Sequence, residues 1–231
     1  MSGIVWLGDE EDPTWFPPVS SALTEPEGLL AAGGELSPAR LLAAYERGIF
    51  PWYSENQPVL WWCPDPRAVL FPQELRISRS LRKVLRSGRF VTRLDTAFTS
   101  VIEGCAAPRA ASPGTWLTPE MVAAYTRLHA LGFAHSVETW HDGALVGGLY
   151  GVCLGGVFFG ESMFSAETDA SKVALVRLRA EAQARGIALI DCQVPNPHLR
   201  SLGSRCIPRQ EFVALLARHV RPHGPGSWKA L

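Results

Sequence analysis

Three polar side chains stand in apolar, strand-like windows where a charge or an amide needs a reason. In "YGVCLGGVFFGESMFS", residues 150 to 165, the single carboxylate is Glu161, and in "LIDCQV", residues 189 to 194, Asp191 and Gln193 lie two apart. On a strand that spacing projects Asp191 and Gln193 from one face and Ile190 and Cys192 from the other. If the strands bearing Glu161 and Asp191 are neighbours, two carboxylates and an amide converge beside Phe158, Met163 and Leu175, which suits holding a cation next to an apolar group. The same residues could instead satisfy one another in a buried hydrogen-bond network, and Glu161 could mark the solvent end of its strand.

A second stretch points to a different partner. Between Leu75 and Leu94 stand Arg76, Arg79, Arg82, Lys83, Arg86, Arg89 and Arg93, with no acid among them. On a helix, Arg79, Arg82, Lys83 and Arg86 adjoin at i+3 and i+4, while Leu81, Val84 and Leu85 are free to pack inward. Stacked like charges favour an anionic neighbour, so a phosphate-rich partner such as RNA is expected, with an ordinary solvated face as the alternative. "FPWY", "LWWCPDP" and "GTWL" place Trp52, Trp61, Trp62 and Trp116 in Gly/Pro-rich surroundings where an indole can stack on a base, although each alone also fits a core position.

Elements must hold these groups, and the punctuation of the chain indicates which. "ELSPARLLAAYERG" has Ser37 as N-cap, Pro38 at the first helical position and Gly48 as terminator; Thr118, Pro119 and Gly132 repeat the pattern. A third helix ends at Gly186 and precedes a strand in "IALIDCQV", and "PRQEFVALLARHV" is a last helix. Residues 143 to 160 are an uncharged run with Gly143, Gly147, Gly151 and Gly155 at the spacing of a close-packing membrane helix. Yet its many glycines weaken a helix, and "HDG" and "LGG" are hairpin signals, so three antiparallel strands at about 133–140, 144–153 and 157–164 are the better expectation. Prolines 51, 58, 64, 66 and 72 suggest a rigid, irregular connection with a domain boundary near residue 67. From about residue 130 the order is that of an α/β arrangement.

Composition narrows the classes further. The 231 residues carry 22 Lys and Arg against 22 Asp and Glu and are 47% hydrophobic, enough for one large domain or two modest ones. Five cysteines are odd in number and scattered, with no CxxC pair and no His at metal spacing, so reduced thiols are expected and no metal or cofactor. The first residues lack a basic flank before an apolar run, so a cytoplasmic chain without a targeting segment or membrane anchor is expected.

The stretches "GLLAAGGELSPARLLAAYERGIFPWY", "LWWCPDPRAVL", "GTWLTPEMVAAYTRLHALGFAHSVE", "LVGGLYGV", "FFGESMFS", "ASK" and "LIDCQVPNPHLRSLGS" together resemble the leucyl/phenylalanyl-tRNA–protein transferase family, in order from about residue 14 to 215. The resemblance implies a small N-terminal domain, residues 1–66, and a catalytic domain, residues 67–231, of mixed α+β or α/β type like the GCN5-related acetyltransferase (GNAT) fold. It implies transfer of Leu or Phe, with Met a further candidate, from aminoacyl-tRNA to the N-terminal amine of proteins beginning with Arg or Lys. That transfer would mark them for N-degron proteolysis, and the enzyme would act as a monomer. It also implies catalytic roles for Glu161, Asp191 and Gln193, and adenosine stacking on Trp52 and Trp116. The donor side chain would enter an apolar pocket of Leu149, Phe158, Leu175 and Leu178, with tRNA phosphates against Arg76, Arg79, Arg82, Lys83 and Arg86. Family members often carry an aromatic residue where this chain has Leu178 and Ala182.

The chemistry implied is economical. An aminoacyl ester is already an activated acyl donor, so placement of the amine against the carbonyl suffices and no Ser or Cys nucleophile is needed. Asp191 and Gln193 are expected to accept hydrogen bonds from the amine and aim its lone pair while Glu161 helps hold the substrate; a neutral amide is too weak to act as a literal base. Two other classes remain. An acyl-CoA-dependent acetyltransferase would need a Q/R-x-x-G-x-G/A turn, from which "RSLGSR" departs at its last position. A non-catalytic RNA-binding module would leave the three polar groups without a task.

Overall fold

Cap residues start several of the helices, at Ser37 and Thr118 where the sequence indicates them and at Ser78 besides. In the computed structural model, which describes residues 3–8, 12–107 and 117–220, Ser37 Oγ accepts from the Arg40 amide at 3.2 Å. Ser78 Oγ accepts from Leu81 at 3.1 Å, and Thr118 Oγ1 from Met121 at 3.3 Å. Each satisfies a donor that the first helical turn would otherwise leave bare.

In chain order the described residues form β1 (Val5–Leu7), β2 (Leu29–Gly33), α1 (Pro38–Glu46), β3 (Phe50–Pro51), β4 (Leu60–Trp62), β5 (Arg67–Leu70), α2 (Arg79–Arg86), β6 (Val91–Leu94), α3 (Phe98–Ala106), α4 (Pro119–Ala130), β7 (Ala134–His141), β8 (Ala144–Leu154), β9 (Val157–Ser165), α5 (Ala170–Arg185), β10 (Leu189–Gln193), α6 (Pro197–Ser201), β11 (Arg205–Ile207) and α7 (Arg209–His219). Four strands make a small sheet in the order β1-β2-β4-β3, and seven make a larger one in the order β11-β5-β10-β9-β8-β7-β6.

The uncharged, Gly-rich run is part of the larger sheet. Asp142 (φ 48°) and Gly143 (φ 80°) form the two-residue turn that joins β7 to β8, a left-handed pair suited to the twist of flanking strands. A Cβ on Gly147 would lie 2.6 Å from that of Ala170, so this glycine lets α5 close onto β8. Among the described residues no helix is long and apolar enough to cross a membrane.

Prolines 51 to 72 do not make the irregular connection expected. Pro58, Pro64, Pro66 and Pro72 sit just outside β4 and β5, where no ladder amide is required, and Pro51 lies in the edge strand β3. β4 belongs to the small sheet and β5 to the large one.

Side chains of the large sheet alternate between two cores, as a period of two requires. Leu149 and Phe158 face α5 with Leu175, Leu178, Ala182 and Ile190. Tyr150 and Phe159 face the other way, into a cluster with Tyr45 of α1, Val101 of α3, Tyr125 of α4, Phe212 of α7 and Trp61 of the small sheet.

One register detail positions the site. β9 and β10 are parallel and pair from Leu189↔Val157 to Asp191↔Phe159, where pairing ends while β9 continues against β8 to Ser165. On its other side β10 is bulged against β5 between Asp191 and Gln193, and Gln193 has φ 61°. The two central strands therefore part just beyond Asp191.

Candidate functional site

A cavity of about 290 Å³ occupies the gap where the strands part. Its lining includes Gly160, Glu161, Ser162 and Met163 from β9 and Asp191 to Val194 from the end of β10, with Leu70, Leu149, Phe158, Leu175, Leu178 and Ile190 as the apolar part. The neighbouring strands that bring Glu161 and Asp191 together are those the sequence suggested.

Glu161 is not at a strand end. It sits within β9, 8% exposed, and its carboxylate accepts three hydrogen bonds. Tyr45 Oη and Gln193 Nε2 approach Oε1 at 2.8 and 2.9 Å, and Tyr125 Oη approaches Oε2 at 2.7 Å. The two phenol oxygens are themselves 2.6 Å apart. Burial pushes the Glu161 carboxyl up to about 7; donation from Tyr125, Tyr45 and Gln193 opposes the rise, and the charge of Asp191 adds to it. Burial, reinforced by the carboxylate, also holds the Tyr45 and Tyr125 phenols well above their ordinary range.

Asp191 does not present a free carboxylate to the cavity. Arg67 Nε donates to Oδ1 at 2.8 Å and Arg67 Nη2 to Oδ2 at 2.6 Å, both residues being fully buried. The Gln193 backbone amide donates to Oδ1 at 2.9 Å. The Arg67 guanidinium lies 4.8 Å from the Phe50 ring centroid and 4.5 Å from that of Phe212, so it is braced between aromatic faces. Asp191 therefore fixes the left-handed backbone of Gln193, and Gln193 fixes its own side chain on Glu161. The simple alternation expected of Asp191 and Gln193 is replaced by this bulge, because the Asp191 carboxylate and the Gln193 amide bond to each other locally.

Of the expected stacking tryptophans, Trp52 lines the cavity and is 43% exposed. Its backbone carbonyl accepts from Trp62 Nε1 at 2.6 Å, and the two rings are 5.8 Å apart. Trp116 lies outside the described residues. Trp61 is a core residue, fully buried, with Nε1 donating to the Gly33 carbonyl. Leu149, Phe158, Leu175 and Leu178 all line the cavity, and Ala182 is buried in the cluster behind it. The basic residues Arg79, Arg82, Lys83 and Arg86 are exposed on α2, which packs on α5, with Leu81 buried beneath them, and Arg76 is exposed just before it. None of the five is in an ion pair with a described residue. None of the five cysteines is in a disulfide, and among the described residues no group of three or more His, Cys, Asp and Glu could hold a metal ion.

Tyr45, Tyr125 and Arg67 escape sequence reasoning because they reach the site from 116, 36 and 124 residues away. A faint signal exists: α1 and α4 each carry Ala-Ala-Tyr, at 43–45 and 123–125, on otherwise apolar faces.

Residues 69–217 match the family model for leucyl/phenylalanyl-tRNA protein transferase, and residues 34–65 match that of its N-terminal domain. The chain belongs to this family. It is 62% identical to the leucyl/phenylalanyl-tRNA–protein transferase of Aromatoleum aromaticum, over 97% of this chain and 94% of that one. The corresponding protein of an Azoarcus species is 61% identical over 97% of this chain and 95% of its own. Among solved structures, a GCN5-related N-acetyltransferase from Kribbella flavida covers 74% of this family member with 61% of its own chain, at 13% identity and a TM-score of 0.40.

Proposed function

We propose that this transferase moves Leu or Phe from aminoacyl-tRNA to the α-amine of proteins whose first residue is Arg or Lys, marking them for N-degron proteolysis, and that it does so as a monomer. The observation that carries this proposal is the mixed lining of the cavity. Its apolar part, Leu149, Phe158, Leu175 and Leu178, suits an apolar aminoacyl side chain; its polar part includes the bonded pair Glu161 and Gln193, and Trp52 is available for the terminal adenosine. The row on α2, exposed and in no ion pair with a described residue, supports docking of tRNA phosphates.

The donor ester needs a neutral amine held at attack distance, and the site supplies placement. Glu161 and Gln193 face the cavity and would meet the amine. Asp191 acts through Gln193, because Arg67 already occupies both its oxygens. Removing Asp191 would strand a buried guanidinium at a cost of about 3–5 kcal/mol, so its alanine variant reports on folding as much as on transfer. An apolar pocket discriminates by only about 1–3 kcal/mol per methylene, so selection of the donor is expected to be graded. With Leu178 and Ala182 in place of aromatic residues, the Leu-to-Phe preference is the property most open to variation from one family member to another.

The test is transfer of radiolabelled Leu or Phe from charged tRNA to a model protein beginning with Arg, beside a copy beginning with Ala. Label on the first alone is the expected result. Salt-sensitive tRNA binding with no transfer of either amino acid would replace this function with RNA binding alone.

A further inference from the structure

Tyr45 Oη, Tyr125 Oη and the Glu161 carboxylate close a ring of three oxygen contacts, at 2.6, 2.7 and 2.8 Å. Each contact is of hydrogen-bond length, so each can hold one proton between its oxygens. The two phenols carry one proton each, so with Glu161 ionised only two of the three contacts are bridged. One more proton, on Glu161, completes the ring: carboxyl to one phenol, that phenol to the other, and the second phenol back to the carboxylate's other oxygen. With Glu161 ionised, the cluster therefore has room for one further proton.

We propose that this ring receives the proton that the acceptor's α-ammonium must shed before attack, with Glu161 as the accepting catalytic residue and Tyr45 and Tyr125 as positioning residues. The inference rests on the aminoacyl transfer set out above. The step balances as follows. The ammonium and the Glu161 carboxylate become a neutral amine and a carboxylic acid. The amine lone pair forms the C–N bond to the ester carbonyl, the C–O bond to the tRNA ribose breaks, and the amine's second proton goes to that leaving oxygen. Once product departs, the Glu161 acid returns its proton to solvent through the cavity it lines.

Neighbouring groups favour Glu161 over the alternatives. Asp191 of β10 is neutralised by Arg67 of β5, and Gln193 is an amide that donates to Glu161. The titratable and charged groups around the Glu161 carboxyl are Tyr45 of α1, Tyr125 of α4, Tyr150 of β8, Asp191 and Arg67. With Asp191 paired, the carboxylate faces three phenols. Both forms of Glu161 are therefore accessible near neutral pH, as proton transfer from an amine of pKa about 8 requires.

The experiment is single-turnover transfer to an Arg-initiated peptide between pH 6.5 and 9, comparing the wild type with Glu161→Gln and Tyr125→Phe, each first shown to melt cooperatively. An infrared titration of the protonated carboxyl band runs alongside. The wild-type advantage over Glu161→Gln should narrow by about tenfold from pH 7 to 9, because the amine then arrives neutral without help. Tyr125→Phe removes a charge-assisted donor to the carboxylate and should move both the infrared midpoint and the acid limb of the rate profile upward by about one pH unit. A rate ratio constant with pH, or a midpoint unmoved by Tyr125→Phe, would overturn the proton-accepting role while leaving aminoacyl transfer intact. Absence of transfer by the wild type would remove both.

Discussion

Glu161 accepts three hydrogen bonds and still titrates near 7, because burial penalises its charge more than those donors relieve it. Its folded-state pKa lies above the ordinary 4.5, so between those values the folded chain binds more protons than the unfolded one. The resulting stability is fully present below about pH 4.5 and is lost as pH rises through 7. A shift of this size corresponds to about 3 kcal/mol. Between pH 5 and 8, urea unfolding should show the wild type losing about 2–3 kcal/mol relative to Glu161→Gln; parallel pH profiles would mean that Glu161 titrates like a solvated carboxyl. The convergence of Glu161, Asp191 and Gln193 was legible in the sequence on the condition that their strands are neighbours, but it is the bulge after Asp191, and not simple alternation, that carries Gln193 to Glu161. The partners that set their chemistry were not. Tyr45, Tyr125 and Arg67 lie on α1, α4 and β5, and no local spacing relates those elements to β9 and β10. Arg67 in particular turns Asp191 from a free carboxylate into a brace.

At the scale of elements, legibility followed local hydrogen bonding. Helices α1, α2 and α4 begin at Ser or Thr caps, and the β7–β8 hairpin turns on Asp-Gly, all readable from a few residues. Helix α3 has no cap of its own. The Glu138 carboxylate of β7 accepts from the Thr96 and Ala97 amides instead, a contact between residues 42 and 41 apart that periodicity does not record. Strand β5 was hidden among prolines that flank its paired residues. Helix α2 carries the clearest prediction of this scale. Its cationic side chains are exposed on a helix anchored by buried Leu81, so replacing Arg79 and Arg82 by Ala should leave unfolding within about 0.5 kcal/mol of the wild type. If both meet tRNA phosphates, binding should weaken and the slope of log affinity against log salt should fall by about 2. An unchanged slope in filter-binding or anisotropy titrations would reduce the row to a solvated face.

The whole molecule holds the site across its two sheets. One apolar cluster runs from Leu7, Leu30 and Trp61 of the small sheet through Tyr45 and Ile49 to Tyr150 and Phe159 on the large one, with Tyr125 of α4 and Phe212 of α7. Glu161, on the large sheet, takes one of its phenol donors from α1, and Arg67, on the first strand of that sheet, lies against Phe50 of the small one. The change of sheet between Trp62 and Arg67 invites division of the chain at residue 67, but the core offers no seam there. A fragment starting at Arg67 would expose the apolar faces of α4, α7 and the large sheet to water and leave the buried Glu161 with only Tyr125 and Gln193 as donors. At about 25 cal/mol for each Å² of apolar surface returned to solvent, a few hundred Å² costs about 5–10 kcal/mol, comparable with the whole net stability of a domain. The fragment 67–231 should therefore lack a cooperative thermal transition and bind a hydrophobic dye, while the full chain melts in a single step. A fragment that melts cooperatively near the temperature of the full chain would show that the large sheet closes its own core, and that the first 66 residues serve the substrate rather than the fold.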